Sequence, residues 1–221
     1  MSWRTLVVAC AAVLLPVVAW AWNEGSEEQD EAMRLSPDLV NGKKVFEICT
    51  ACHLPHGWGA EDGSFPLLAG QHRTVIIKQL ADIRARNRDN PTMYPFSLPD
   101  TIGGVQSIAD VAAYIESLPA RPENGKGPYA VGTAEYQMGK QLYQEHCVAC
   151  HGEQGEGDSG LYYPKLNGQH YRYMLRQFEW IRDGKRRNAN PAMEQQIRQF
   201  SDDEMKAVVN YVSYLPVADT H

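Results

Sequence analysis

At 221 residues, with 43% hydrophobic and 22% charged side chains, the chain has the composition of a globular protein with room for one large domain or two small ones. Disorder and a polytopic membrane protein are excluded. The formal charge of −6, with no basic stripe along the sequence, excludes a nucleic-acid-binding surface.

The chain opens with Arg4 before an apolar run from Leu6 to Val18, followed by Ala19-Trp20-Ala21. This pattern predicts a signal peptide over residues 1–21, cut after Ala21, and hence export to the periplasm. The competing reading is an uncleaved membrane anchor, because Thr5 to Trp22 carries no charge. Pro16 and the Ala-x-Ala ending favour cleavage. Cys10 lies inside this segment, so four cysteines remain for the mature chain, and all four fall in two copies of one pentapeptide.

Residues 22–36 are polar and acidic and read as a loose lead-in. A first helix is expected from Pro37-Asp38 through Val40, Val45, Phe46 and Ile48 into Cys49-Thr50-Ala51-Cys52-His53. Cys-x-x-Cys-His is a c-type haem attachment pattern. Two thiols one helical turn apart reach the two vinyl groups, and the adjoining His offers a ring nitrogen to the iron. A disulfide framework gives no reason for a His after each pair, and the 98 residues between the two pairs far exceed the usual zinc-ribbon spacing.

A glycine-rich loop, His56-Gly57-Trp58-Gly59, leads to Pro66. Its expected use is to wrap the haem edge and bring a backbone carbonyl to the outer ring nitrogen of His53. A second amphipathic helix is predicted over about 72–86, with Val75, Ile76, Leu80 and Ile83 on one face. A basic, Asn-rich turn then meets Asn90-Pro91-Thr92-Met93, and a last helix is expected from Ser107, stopping before Pro119. No segment alternates as a strand.

The same succession then repeats. Cys147, Cys150 and His151 stand 98 positions after Cys49, Cys52 and His53, and Gly168-Gln169-His170 stands 98 after Gly70-Gln71-His72. Asn190-Pro191-x-Met193 follows its counterpart by 100, and Tyr211, Leu215 and Pro216 follow Tyr114, Leu118 and Pro119 by 97. The second copy's helices are expected from Thr133 to Cys147, over Tyr171 to Arg182, and from Ser201. The repeat predicts an all-α chain of two tandem domains, residues 22–120 and 133–221, joined by a Gly/Pro-rich linker over 121–132.

His53 and His151 would each supply one axial bond. Met93 and Met193, in matching Asn-Pro-x-Met segments, are the candidates for the opposite face, where a thioether raises the potential. Met174 and Met205 fall on predicted helices and read as packing. His72 and His170 also match between copies and are weaker ligand candidates, with a surface or propionate contact as their expected role. His56, His146 and His221 have no counterparts. Gly42 with Phe46, and Gly139 with Tyr143, are spaced to let the last helix, bearing Tyr114 or Tyr211, approach closely.

Taken together, Cys-x-x-Cys-His at the end of a first helix, a Pro-x-Leu-x-Gly-Gln stretch, a Met in a late loop and a closing helix with Tyr and Leu-Pro resemble the class I cytochrome c domain. The tandem arrangement is similar to the diheme cytochrome c4 family. That resemblance implies two domains of three to five helices, each around one covalently bound haem c, related by a pseudo-two-fold axis with the haems facing each other. It implies an electron carrier rather than an enzyme, passing single electrons between a dehydrogenase or bc1-type donor and a terminal oxidase or reductase. The acidic balance suggests redox partners with basic patches. The other readings are an electron-transfer subunit of a larger, membrane-bound oxidase or dehydrogenase complex, and a diheme enzyme of the peroxidase or thiosulfate dehydrogenase type. Two departures from the family pattern stand out. The first copy is one residue shorter between Gly42 and Cys49 than the second between Gly139 and Cys147, and Leu54-Pro55 stands where the second copy has Gly152.

Overall fold

The structure, a computed structural model, describes residues 26–119, 121 and 123–217. The expected signal segment lies outside them. Eleven helices occur among the described residues, with no strand beyond one isolated bridge between Asp158 and Tyr163. No helix among them is long and apolar enough to cross a membrane.

The N-terminal copy begins with α1 (Glu27–Arg34), where a loose lead-in is expected. The helix exists because Ser26 caps it through the Gln29 amide and the acids of its first turn suit the positive helix end. It stays because it is docked: Ala32 is fully buried, Arg84 pairs with Glu28, and Arg73 donates to the carbonyls of Ala32 and Leu35 at 2.9 Å each. A tally of exposed polar residues misses this, since the anchoring arginines lie some forty residues or more away in sequence.

Helix α2 (Leu39–His53) is capped by Asp38, as expected, and runs without a break through the haem motif. After the glycine-rich loop come α3 (Arg73–Arg84), two short turns α4 (Tyr94–Ser97) and α5 (Pro99–Ile102), and α6 (Val105–Ser117). Helix α6 starts at Gly104, not at Ser107, which lies within it. In the C-terminal copy α7 (Ala134–His146) gives way at Cys147 to the short α8 (Val148–His151), so the residue that this copy has in excess is absorbed as a break just where the haem motif begins. Then follow α9 (Tyr171–Arg182), α10 (Pro191–Ile197) and α11 (Asp202–Ser213), the last begun by Ser201 and Glu204 in a reciprocal capping box.

In each copy the helix that leads into the haem motif, α2 or α7, crosses the last helix, α6 or α11, at a glycine. A Cβ on Gly42 would lie 2.2 Å from the Asp110 carbonyl oxygen, and one on Gly139 would lie 2.0 Å from that of Ala207. Beside the crossing, Phe46 meets Tyr114 at 5.5 Å between ring centroids and Tyr143 meets Tyr211 at 5.5 Å, both tilted. The expected glycine-and-aromatic pairing is thus present twice, and each crossing is the floor of one apolar core.

The copies are joined by bonds that come in equivalent pairs. Gln71 accepts from the Lys165 amide at 2.9 Å and donates to the Lys165 carbonyl at 3.0 Å, while Gln169 does the same with Leu67, at 3.0 and 2.9 Å. The His72 ring reaches the Glu156 carbonyl at 2.8 Å, and the His170 ring reaches that of Trp58 at 2.8 Å. Every partner is displaced by 98 residues from its equivalent, so the copies face each other across an approximate two-fold axis. Residues 123–130 do not hang free. Asn124 donates to the carbonyls of Gln169 and Ser213, Gly125 donates to His170 Nδ1 at 3.0 Å, and Asn210 brackets Tyr129 at its amide and carbonyl. The segment is strapped along α11.

Candidate functional site

Each Cys-x-x-Cys-His motif presents its His inward. His53 and His151 are 4% and 6% exposed. Their Nδ1 atoms lie 3.0 Å from the Pro66 carbonyl oxygen and 3.2 Å from that of Pro164. Burial pushes both imidazoles below their ordinary pKa, favouring the neutral ring. A carbonyl at Nδ1 takes the ring's proton as donor, so Nε2 keeps its lone pair for a metal.

The loops achieve this through glycines with positive φ. Gly59 (φ 67°) donates to the His53 carbonyl, and its equivalent Gly157 (φ 69°) donates to that of His151. A Cβ on Gly59 would stand 2.4 Å from the Pro66 carbonyl oxygen, and one on Gly157 would stand 2.7 Å from that of Pro164. Any side chain there would push away the atom that orients the histidine. The carbonyl expected from the loop is therefore delivered in both copies, and Pro66 and Pro164 are the residues that deliver it.

The four cysteines are free thiols, with no disulfide among the described residues. Burial pushes Cys49 up to about 11 and Cys147 up to about 12, so both sit as neutral groups in an apolar wall. That environment suits thioethers, which are neutral and apolar. Buried neutral imidazoles with a fixed tautomer and paired, unbridged cysteines one turn apart fit a covalently attached haem.

The two methionine segments differ. Met93 sits in a turn that closes on Asn90, whose carbonyl and side chain both accept from the Met93 amide, at 3.1 and 3.2 Å, before α4 begins. Met193 is the third residue of α10, capped by Asn190 through the Ala192 amide, and it packs against the C-terminal core. A loop is expected at both, and at Met193 the structure corrects this to a helix, because Asn190 is placed to cap and Pro191 suits a helical first turn. Met174 and Met205 are core residues, 5% and 1% exposed, as expected.

His72 and His170 bond across the domain interface. A surface role does not hold for His170, which is fully buried. With Gly125 N–H donating to its Nδ1 and Trp58 O beyond its Nε2, only the neutral Nε2–H tautomer meets both partners. Gln71 and Gln169, like Gln79, Arg88, Gln177 and Arg186, are interface residues that no local motif marks. The signal was present, since each of these pairs recurs at the offset of 98.

Fold and site together define a tandem c-type cytochrome. The cytochrome c family model matches residues 39–119 and again 136–216. Cytochrome c4 of Thiocapsa roseopersicina is 35% identical over 191 residues, covering 85% of this chain and 97% of that protein. The crystal structure of reduced recombinant cytochrome c4 from Pseudomonas stutzeri superposes with a TM-score of 0.69 at 27% identity, covering 81% of this chain and all of that one. Thiosulfate dehydrogenase TsdBA of Marichromatium purpuratum, in its as-isolated form, superposes at 0.68 and 27% identity, covering 83% of this chain but 41% of that one. The chain belongs to the cytochrome c4 family. It binds haem c, and two haems follow from its two domains.

Proposed function

We propose that this diheme electron-transfer cytochrome is a periplasmic carrier, with haems held by Cys49, Cys52 and Cys147, Cys150 and ligated by His53 with Met93 and by His151 with Met193. When bound, haem c supplies a one-electron couple. The chain's part would be to hold each histidine neutral and oriented through Pro66 and Pro164, to supply a thioether from Met93 or Met193, and to wall the site off from water with Phe46 or Tyr143. The observation that carries the reading is that both copies hold an oriented, buried His and carry a Met in the same Asn-Pro-x-Met sequence context; ligation by both would leave no coordination position for a substrate. Chain organisation is part of the proposal: an export signal over 1–21, domains over 22–120 and 133–221, and a linker over 121–132.

The donor is taken to be a dehydrogenase or bc1-type complex and the acceptor a terminal oxidase or reductase. The charge of −6 supports partners that present basic patches. A red-end Met-to-iron charge-transfer band in the oxidised protein, with an amplitude for two haems, is expected. Binding of carbon monoxide or cyanide at either haem without denaturant would sink the carrier reading. The overlap with TsdBA favours one second reading, an electron-transfer module that works bound to a dehydrogenase. Purification from the native host with a stoichiometric larger subunit would select it.

A further inference from the structure

Helix α1 lies ahead of the stretch that the family model matches, which begins at residue 39, yet it is tied to the segment that carries Met93. The tie runs through Arg84, whose side chain is 9% exposed at the end of α3. Its Nε donates to the Ser97 carbonyl at 2.6 Å and its Nη2 to the Gly103 carbonyl at 3.0 Å, while Nη1 pairs with Glu28 of α1. One guanidinium thus holds three elements.

Ser97 ends α4 and Gly103 caps α5, and each of these helices is four residues long. A single turn is too short to stand alone in water, so both depend on what grips them from outside. Arg84 places a cation at both carbonyl ends. Met93 lies directly upstream: the Phe96 amide donates to its carbonyl at 3.0 Å, and the Ser97 hydroxyl donates to the Tyr94 carbonyl at 2.8 Å. The carboxylate that balances the buried Arg84 comes from α1, which is docked by Ala32 on the core and by Arg73 on its last carbonyls. Without Glu28 the guanidinium would be enclosed with carbonyls alone, and the cost of a buried, unbalanced charge would draw it toward water.

The C-terminal copy is built otherwise. Arg182, the equivalent of Arg84 at the offset of 98, meets Asp183 and Asp202, both in its own domain. The segment ahead of α7 bonds to His170, Asn210 and Ser213 instead. Met193 stands in a seven-residue helix with its own cap, Asn190, and its own core anchor, Ile197, 1% exposed. That helix needs no latch.

We propose that α1 is a latch for the Met93 segment: Glu28 fixes Arg84 and Arg84 positions α4 and α5, so that Met93 is held from outside the repeated domain fold whereas Met193 is not. This rests on the reading of Met93 as a ligand, and Glu28 and Arg84 are positioning residues for it. The test follows the red-end charge-transfer band of the oxidised holoprotein on mild heating, alongside the helix signal in circular dichroism. Glu28→Gln raises the equilibrium constant for loss of half of the band about tenfold, before the helix signal falls, and leaves the other half where it was. Ala32→Glu, which undocks α1 without touching Arg84, gives the same selective loss. Arg84→Gln gives at least as large a loss, and adding Glu28→Gln to it changes nothing further, because Glu28 acts through Arg84. In a Met93→Ala background the remaining half of the band is unmoved by Glu28→Gln. A band that holds through Glu28→Gln and Ala32→Glu, that loosens equally in both halves, or that responds additively to Glu28→Gln and Arg84→Gln would overturn the latch and spare the ligand assignment. A band that survives whole in Met93→Ala would strike the ligand assignment, and the latch with it.

Discussion

The two copies solve one problem with the same backbone turn but different residues at the position after the haem histidine. In the C-terminal copy Gly152 follows His151 with φ 77° and ψ 167°, a conformation glycine adopts freely. In the N-terminal copy Leu54 stands there with φ 66° and ψ 161°, a region costly for any residue with a Cβ. Pro55 helps to hold it, since the residue before a proline is kept from the helical region. Both backbones turn the same way because the next loop must return a carbonyl to the histidine. The turn is dictated by the site, and the sequence at Leu54 yields to it. At the methionines the copies diverge instead: a turn braced by Asn90 in one, a capped helix in the other.

The largest test of this comparison removes one attachment at a time. Cys49→Ala with Cys52→Ala, or Cys147→Ala with Cys150→Ala, is expected to halve the haem per chain by pyridine haemochrome assay. Full haem loss from either double variant would show that the copies do not load independently. The methionines should separate next. Met93→Ala and Met193→Ala each remove half of the charge-transfer band, but Met193 also packs on the C-terminal core, so its loss costs about 2–4 kcal/mol in denaturant unfolding and exceeds that of Met93. Equal costs would mean that α10 contributes no packing.

Third come the helix crossings. Gly42→Ala and Gly139→Ala each force a methyl into a facing carbonyl and should destabilise by about 1–3 kcal/mol in thermal unfolding. The exchange of turn residues follows: Leu54→Gly relieves the strained backbone and should gain about 1 kcal/mol, whereas Gly152→Leu should lose about 1–3 kcal/mol, meeting both that conformation and the Glu156 carboxylate. A loss at both positions would refute the strain argument. Smallest are the caps of the last helices. Ser201→Ala should cost about 1 kcal/mol, while Gly104→Ser, at the equivalent uncapped start, should change stability by only a few tenths.

The haem motifs, the repeat, the crossing glycines with their aromatics and the extent of α9 could all be read from the chain, because each rests on chemistry within a few residues or on a pattern stated twice. The docking of α1 could not, since Arg73 and Arg84, far away along the chain, hold it alongside its few apolar contacts such as Ala32. Ser107 misled because a good capping residue one turn inside a helix looks like a start, whereas the true start, Gly104, has no capping side chain.

By itself, then, the sequence determined two Cys-x-x-Cys-His haem motifs and the residue types proposed to face each iron, since motif spacing is local. Only the tertiary structure decided that Pro66 and Pro164 supply the orienting carbonyls, that Gln71, His72 and their equivalents clasp the opposite copy, and that Arg88 and Arg186 come together. Those contacts join residues far apart along the chain, and they form when two copies of one fold bury the same face against each other.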